Sequence, residues 1–489
     1  GTIRNGVFAA LPDAFGVSLG YTNDPVTFKN RSTAAPSTRN MACKAQTSGT
    51  IYLRHGPRTE LHEIIRQEYA RHHDRAAPHN TLRQAVQGML DTFAYQNFDA
   101  AAGEYTNRCC RPPRETEMRP WRLVTEIGWT GGGVLAYPLV LCRDALGADA
   151  EAPLAAAMSG EQLFDRIADA YNENSGLLND LMAPNAAGSQ VNGWWTGYGL
   201  VKDCHCAYTV GSAVHYLTKT MDYLHQNGKP CPAKWMDAAQ KVLHTVMDLQ
   251  RADGAFGYTY STQERKVLDW SGFAGCWFAP ALVYLYRLTG EERCLHSAEK
   301  ALDYYHTFVK DLNCYGTPMD TWKAVDEEGN LAFMRGSRLL YEQTGKAEFL
   351  QYMKDSAGYE FLWRYGYKTY PEHTPLNQGW SACGGAVTSV SNPHIHPMGV
   401  IIDTDLRYLA RVTGDGYYAS RAADSAAWML QCLELYPAAT GYGRYGILSE
   451  RWCPSDGLDV ERFSDGRPFS SWFSHNLWAS ACVLEAACE

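Results

Sequence analysis

The sequence predicts an all-α fold: an (α/α)6 toroid of six helical hairpins behind a small N-terminal β segment. Two observations carry this expectation. After residue 80, apolar residues recur at helical spacing almost without interruption. Leu288-Thr289-Gly290, Gln343-Thr344-Gly345 and Val412-Thr413-Gly414 then echo one another. Each ends an apolar helix with a glycine suited to a left-handed C-cap, and each is soon followed by an amphipathic helix. The three glycines stand 55 and 69 residues apart, so the repeat is a helical hairpin of that length.

Residues 1–75 read as a β-rich segment. Phe15–Tyr21 and Gly49–Arg54 look like strands between polar turns, too small to hold a core alone. An amphipathic helix over Leu61–His73 leads into the toroid, placed at 76–489. The first outer helix starts at Asn80, a good N-cap residue, with Leu82, Val86, Met89, Leu90 and Phe93 on one face. A second starts at Ser159 with Gln162 at capping-box spacing. Further amphipathic helices are expected near 232–250, 292–310, 347–363 and 416–434. More thoroughly apolar ones fall near 130–145, 207–226, 273–289, 330–344, 398–413 and 472–487. The apolar set belongs inside the ring and the amphipathic set outside.

Composition removes several function classes. Lys+Arg 44 against Asp+Glu 53 gives a formal charge of −9 with no long basic run, which argues against a nucleic-acid partner. The best apolar stretch, Gly132–Cys142, falls short of the roughly 20 residues a membrane span needs. Fifteen cysteines are spread thinly over the chain, so buried reduced thiols and a cytoplasmic location are expected, although a start at Gly1 leaves a removed leader open. Neither Cys109-Cys110 nor Cys204-x-Cys206 has a second pair at zinc spacing. No phosphate loop, nucleophile elbow or dinucleotide fingerprint is present, so no cofactor is expected.

The outer-to-inner connections are long: roughly 106–129, 174–206, 251–272, 311–329, 364–397 and 435–471. Loops of that length in a compact fold usually carry function, and these all fall at one end of the ring. Each brings tryptophan there: Trp129, Trp194 and Trp195, Trp270, Trp322, Trp380, and Trp452 with Trp472. Rings often seal a core, but six in register at one mouth suit the C–H faces of sugars. The expected partner is therefore an oligo- or polysaccharide. Asp203, Asp269 and Glu126 share these loops and supply the paired carboxyls that glycoside hydrolysis requires. Helix capping is the plainer role for any one of them. His394 and His396 sit between Pro393 and Pro397, rigidly enough to meet a substrate hydroxyl or carboxylate. With Asp403 and Asp405 on different faces of the next helix, they lack a clear third metal ligand. His205 stands between the two cysteines of Cys204-x-Cys206, among the substrate-binding candidates. Arg122, Lys202, Arg265 and Arg451 are the loop cations, and two converging would favour a uronic acid.

Leu249–Gly254, then Asp269-Trp270, then Phe278–Gly290 resemble the repeating style of the six-hairpin glycosidases. That group includes the unsaturated glucuronyl hydrolases and, nearer in style, the β-glucuronidases of glycoside hydrolase family 154. The resemblance spans about residues 80–489. It implies a cofactor-free glycosidase acting on uronic-acid-containing glycans. The leading expectation is an exo-acting hydrolase. A polysaccharide lyase using His and Tyr, a sugar epimerase using His394 and His396, and a non-catalytic glycan-binding toroid are the alternatives.

Overall fold

The computed structural model describes residues 6–11, 14–19, 60–78, 80–101, 103–109, 119–121, 125–128, 131–147, 153, 155–182, 193–196, 199–317, 323–368, 381–389, 395–433, 446, 448–452, 471–472 and 476–489. Helix α1 (Glu60–His72) lies outside the ring. The outer layer is α2 (Leu82–Thr92), α4 (Gly160–Asp169), α6 (Ala233–Asp248), α8 (Glu292–Lys310), α10 (Ala347–Trp363) and α12 (Gly416–Gln431). The inner layer is α3 (Gly133–Leu146), α5 (Ala207–Gln226), α7 (Phe278–Thr289), α9 (Glu328–Thr344), α11 (Asp403–Thr413) and α13 (Asn476–Cys488). Each inner helix packs on the next, with the 3-10 turn Met398–Ile402 leading into α11, and α13 packs back on α3. The ring is closed.

Local chemistry explains the alternation. In α3 every residue from Gly133 to Cys142 is buried, so Gly-Val-Leu-Ala-Tyr-Pro-Leu-Val-Leu-Cys is apolar all round. In α4 only one face is buried, at Leu163, Phe164, Ile167 and Ala168. Ser159 caps it as expected, accepting from the Gln162 amide in a capping box. Gly290, Gly345 and Gly414 end α7, α9 and α11 at φ of 74°, 67° and 70°. That left-handed conformation is why the Thr-Gly turns recur. The start of α2 differs from expectation. Thr81, with Gln84, caps it, because the Asn80 amide instead donates to the Leu430 and Leu433 carbonyls at 3.0 and 2.8 Å, joining this start to the end of α12. Leu82 is 44% exposed and lies off the apolar face.

Before the toroid, Gly6–Leu11 pairs antiparallel with Ala14–Leu19, while Gly49–Arg54 lies outside the described residues. Helix α1 is fixed to the ring by polar contacts: Arg66 makes a paired contact with Asp415 at 2.6 and 2.9 Å, and Tyr69 donates to Asp424 at 2.7 Å. Among the described residues no helix is long and apolar enough to cross a membrane.

Inner helices are covered on every side, so their charged groups need partners inside the ring. Glu485 of α13 provides one. Its carboxylate accepts from Tyr216 at 2.7 Å and Lys219 at 2.6 Å, both on α5, and from Arg335 of α9 at 2.8 Å. Arg335 also donates to the Ile401 carbonyl at 2.5 Å. One carboxylate thus ties three inner helices, and through Arg335 the approach to a fourth. Lys219 also pairs with Glu489 at 2.5 Å and Arg335 with Asp405 at 3.5 Å, so Glu485→Ala weakens the network without stripping either cation bare and is expected to cost about 2–3 kcal/mol in urea unfolding. A loss below about 1 kcal/mol would remove Glu485 from this role.

Candidate functional site

The inner helices begin where the long connections arrive, so the floor of the mouth is built from their first turns. Tyr208 opens α5, and its hydroxyl lies 3.8 Å from the Met398 sulfur, on the approach to α11. In the ring order, α5 and α11 are opposite one another. Only side chains on the axis can touch across the diameter, so Tyr208 and Met398 close the floor. Glu328, the first residue of α9, lies near enough to the Tyr208 hydroxyl and to Cys482 of α13 that its charge helps burial push both groups up. Its 6% exposure leaves it just open to the mouth. Trp277 packs edge-on against Tyr208 at 6.0 Å, and His396 packs edge-on against Trp478 at 5.6 Å. The starts of the inner helices and the turns before them thus carry a carboxyl, a phenol, an imidazole and two indoles, all of them buried.

Glu328 is the third of three consecutive acids. Asp326 accepts backbone N–H groups of Thr317 and Gly329 at 3.2 and 3.3 Å, and burial pushes its carboxyl well above the usual range. Glu327 turns outward, where burial and the facing Glu360 also push it well up. Gly399 makes room, since a Cβ there would stand 2.4 Å from the Glu327 carboxyl. Arg364 balances the group, donating to Glu360 at 2.7 and 2.9 Å, to Asp403 at 2.9 Å and to the Gly399 carbonyl at 2.6 Å. Burial still lifts Asp403 to about 6 against the pull of Arg364. Sequence reading passed over Asp326-Glu327-Glu328, because its acids were taken from tryptophan neighbours. The available signal was three acids in a row at the start of an apolar helix.

The residues singled out from the sequence are placed as follows. Asp203 is exposed, at φ 59°, just ahead of the strand Cys204–Cys206. Asp269 ends the strand Val267–Asp269 at the opposite edge of the same three-stranded sheet. It pairs with Lys323 and accepts from the Ser271 amide and hydroxyl at 2.8 and 2.7 Å. Partial burial opposes its charge, but these contacts outweigh it and hold the carboxyl below the ordinary range. Register separates Asp203 and Asp269 by two strand spacings across and three residues along, about 14 Å between Cα atoms. The backbone of Glu126 pairs with Leu181. Trp195 pairs through its backbone with Leu200, in the hairpin that ends at exposed Lys202. His205 is fully buried, its two ring nitrogens 3.1 Å from Asp180 and 2.9 Å from Ser175, so both are occupied within the protein. Trp270 is half-buried beneath the Arg251 guanidinium, 5.2 Å from the ring centre.

Three of them come together. In a four-stranded sheet Ile395 pairs with Trp452 and Arg451 with Trp472, so one register step sets His396, Arg451 and Trp472 in a single backbone row. Arg122, Trp129, Trp322, Trp380 and His394 lie outside the described residues.

Asp403 and Asp405 are taken up by Arg364 and by Arg338 at 3.0 Å, so neither joins His396 as a metal ligand. His73, Cys383 and Asp424 bring ligand atoms within 4.8 Å of one another. There Arg75, at 2.6 Å, already neutralises Asp424, and with His73 at 2.8 Å the group anchors the segment after α1 to α12. A cleft of about 900 Å³ opens off the axis beside Tyr69, Trp363, Tyr365 and Arg421, and the floor residues do not line it.

No family model matches the sequence, and no curated protein matches it. Solved structures do match. The cellobiose 2-epimerase from Spirochaeta thermophila DSM 6192 is 12% identical over 88% of this chain and 97% of its own, with a TM-score of 0.53. The cellobiose 2-epimerase from Bacillus thermoamylovorans B4167 is 11% identical over 83% and 97%, also at 0.53. A family 76 glycoside hydrolase, a mannosidase from Bacteroides thetaiotaomicron VPI-5482, is 14% identical over 83% and 96%, at 0.51. What is shared is the fold. The chain is an (α/α)6 toroid.

A carboxyl whose pKa is raised on folding stabilises the protein at low pH and loses that contribution as pH climbs from the unfolded toward the folded value. Glu327 is such a group, so Glu327→Gln, which keeps the protonated shape, is expected to become increasingly more stable than wild type as pH rises above the ordinary glutamate range. Melting temperatures of both proteins across that rise check this, and parallel curves would contradict it.

Proposed function

We propose that the protein is a saccharide-acting enzyme working at the floor of the toroid mouth, and that it is a glycoside hydrolase with Glu328 as its acid. The observation that carries this is the meeting of Glu328 and Tyr208 on the barrel axis. A carboxyl almost buried at the start of an inner helix, beside a phenol, is placed to act as general acid toward a leaving glycosidic oxygen. Trp277, fully buried, backs the Tyr208 ring from behind and fixes its position. Support also comes from the toroids it resembles in fold, which include sugar epimerases and a mannosidase.

The second carboxylate is assigned to the mouth acids read from the sequence. Of Asp203, Asp269 and Glu126, Asp269 is the one that Lys323 and Ser271 hold ionised, which fits a base. A uronic-acid preference, as in a β-glucuronidase, rests on Lys202 and Arg451 at the rim, with Arg122 as a third candidate. The contact of Tyr208 with Met398 across the ring favours a blind-ended site and so release of terminal sugars. A second reading, sugar epimerisation, is favoured by His396 against Trp478, an imidazole able to move a proton at a sugar carbon.

One panel separates the readings. Aryl glycosides, neutral and uronic, report hydrolysis by release of the aryl group. Reducing disaccharides in D2O report epimerisation by deuterium uptake, and uronic polysaccharides report elimination by a rise in ultraviolet absorbance. The expected result is aryl release, strongest with glucuronides. Glu328→Gln is expected to lower kcat/KM by about 10²–10⁴-fold with the melting temperature nearly unchanged. Near wild-type turnover in that variant would overturn the assignment.

A further inference from the structure

The ring is closed by lateral contacts between inner helices, and one of them differs in kind. Five join neighbouring hairpins along the chain, whereas the seam between α3 and α13 joins elements hundreds of residues apart. At that seam the sulfurs of Cys142, on α3, and Cys488, on α13, stand 2.6 Å apart. Their sequence separation is 346 residues. Cys142 is fully buried and Cys488 is half-buried, so the pair is reached from the Cys488 side.

We propose that Cys142 and Cys488 form a disulfide, a covalent modification site that staples the seam of the toroid. The two side chains face each other from packed helices, an arrangement that a short covalent bridge can span. The oxidant is a small-molecule disulfide of the glutathione type. The Cys488 thiolate attacks it, forms a mixed disulfide and releases one small thiol. Cys142 then gives up its proton and displaces the second small thiol from the Cys488 sulfur. Two protein thiols are oxidised by two electrons, and one small disulfide is reduced to two thiols. Burial pushes the Cys142 thiol up, which leaves the first attack to Cys488. The bridge would convert the toroid from a ring held by packing into a covalently closed one, because it links the first and last inner helices. This inference stands apart from the assignment of the floor chemistry.

The test uses the full chain incubated with reduced or oxidised glutathione, then unfolded, alkylated, digested and mapped by mass spectrometry. Oxidation is expected to yield a peptide linking Cys142 to Cys488. Without reductant, the unfolded oxidised chain should migrate faster on a denaturing gel, since a long loop is closed. Cys142→Ser and Cys488→Ser should each abolish both signals. The oxidised wild type should melt about 2–6 °C higher than the reduced form, a gain neither variant shows. Complete alkylation of both cysteines after oxidation would overturn the proposal. A linked peptide with no change in melting temperature would overturn its role as a staple.

Discussion

Glu485 is the fixed point of this toroid. A carboxylate with no exposure must be matched, and here it is matched three times, by Tyr216, Lys219 and Arg335. The consequence reaches upward along two helices. Tyr216 lies eight residues below Tyr208 on α5, and Arg335 lies seven below Glu328 on α9. Both spacings are about two helical turns, so each pair shares one face, separated by roughly 11 Å. The clamp that holds α5 to α9 deep in the ring therefore also aims Tyr208 and Glu328 at each other on the floor. The meeting of groups at the mouth is paid for by ion pairing two turns below.

Much of the fold was legible because its punctuation is local. Gly290, Gly345 and Gly414 need a left-handed conformation that L side chains rarely adopt, and Ser159 with Gln162 forms a cap within four residues. Such signals survive without knowledge of tertiary contacts. Asn80 shows where they stop working. It is a good cap in isolation, yet two carbonyls at the far end of the chain claim its amide and the role passes to Thr81. The site was less legible for the same reason. His205 reads as an available imidazole until Asp180 and Ser175, distant in sequence, are seen on either side of it. The row of His396, Arg451 and Trp472 shows the opposite case, in which residues picked singly are brought together by sheet register.

The buried carboxyls around Arg364 outnumber its capacity. Glu360 and Asp403 share its guanidinium, and Glu327 faces the group, where burial and Glu360 push it up against the weaker pull of Arg364. Dry surroundings push the Asp326, Glu327 and Asp403 carboxyls above the ordinary carboxylate range, so charge on this cluster is harder to hold than on a solvated acid. Gly399 is what allows the acids so near the floor, since a side chain there would fill the space their oxygens occupy.

Asp326, Glu327 and Glu328 also show how much a helix start can encode. Asp326 pairs as an extended residue with Ser389, Glu327 is the cap and Glu328 opens the helix, so the change of backbone across three adjacent acids sends them to the backbone of Thr317 and Gly329, to the carboxyl cluster and toward Tyr208. Composition alone is blind to this, since the two glutamates are chemically alike and differ only in bearing. Deleting one residue between the Asp326–Ser389 bridge and α9 would put a different residue at the first helical position and move the acid away from Tyr208. The position of that helix start is therefore under a stricter constraint than the identity of its residues, and chain-length changes in the connection before it should be tolerated only where they are absorbed before Asp326.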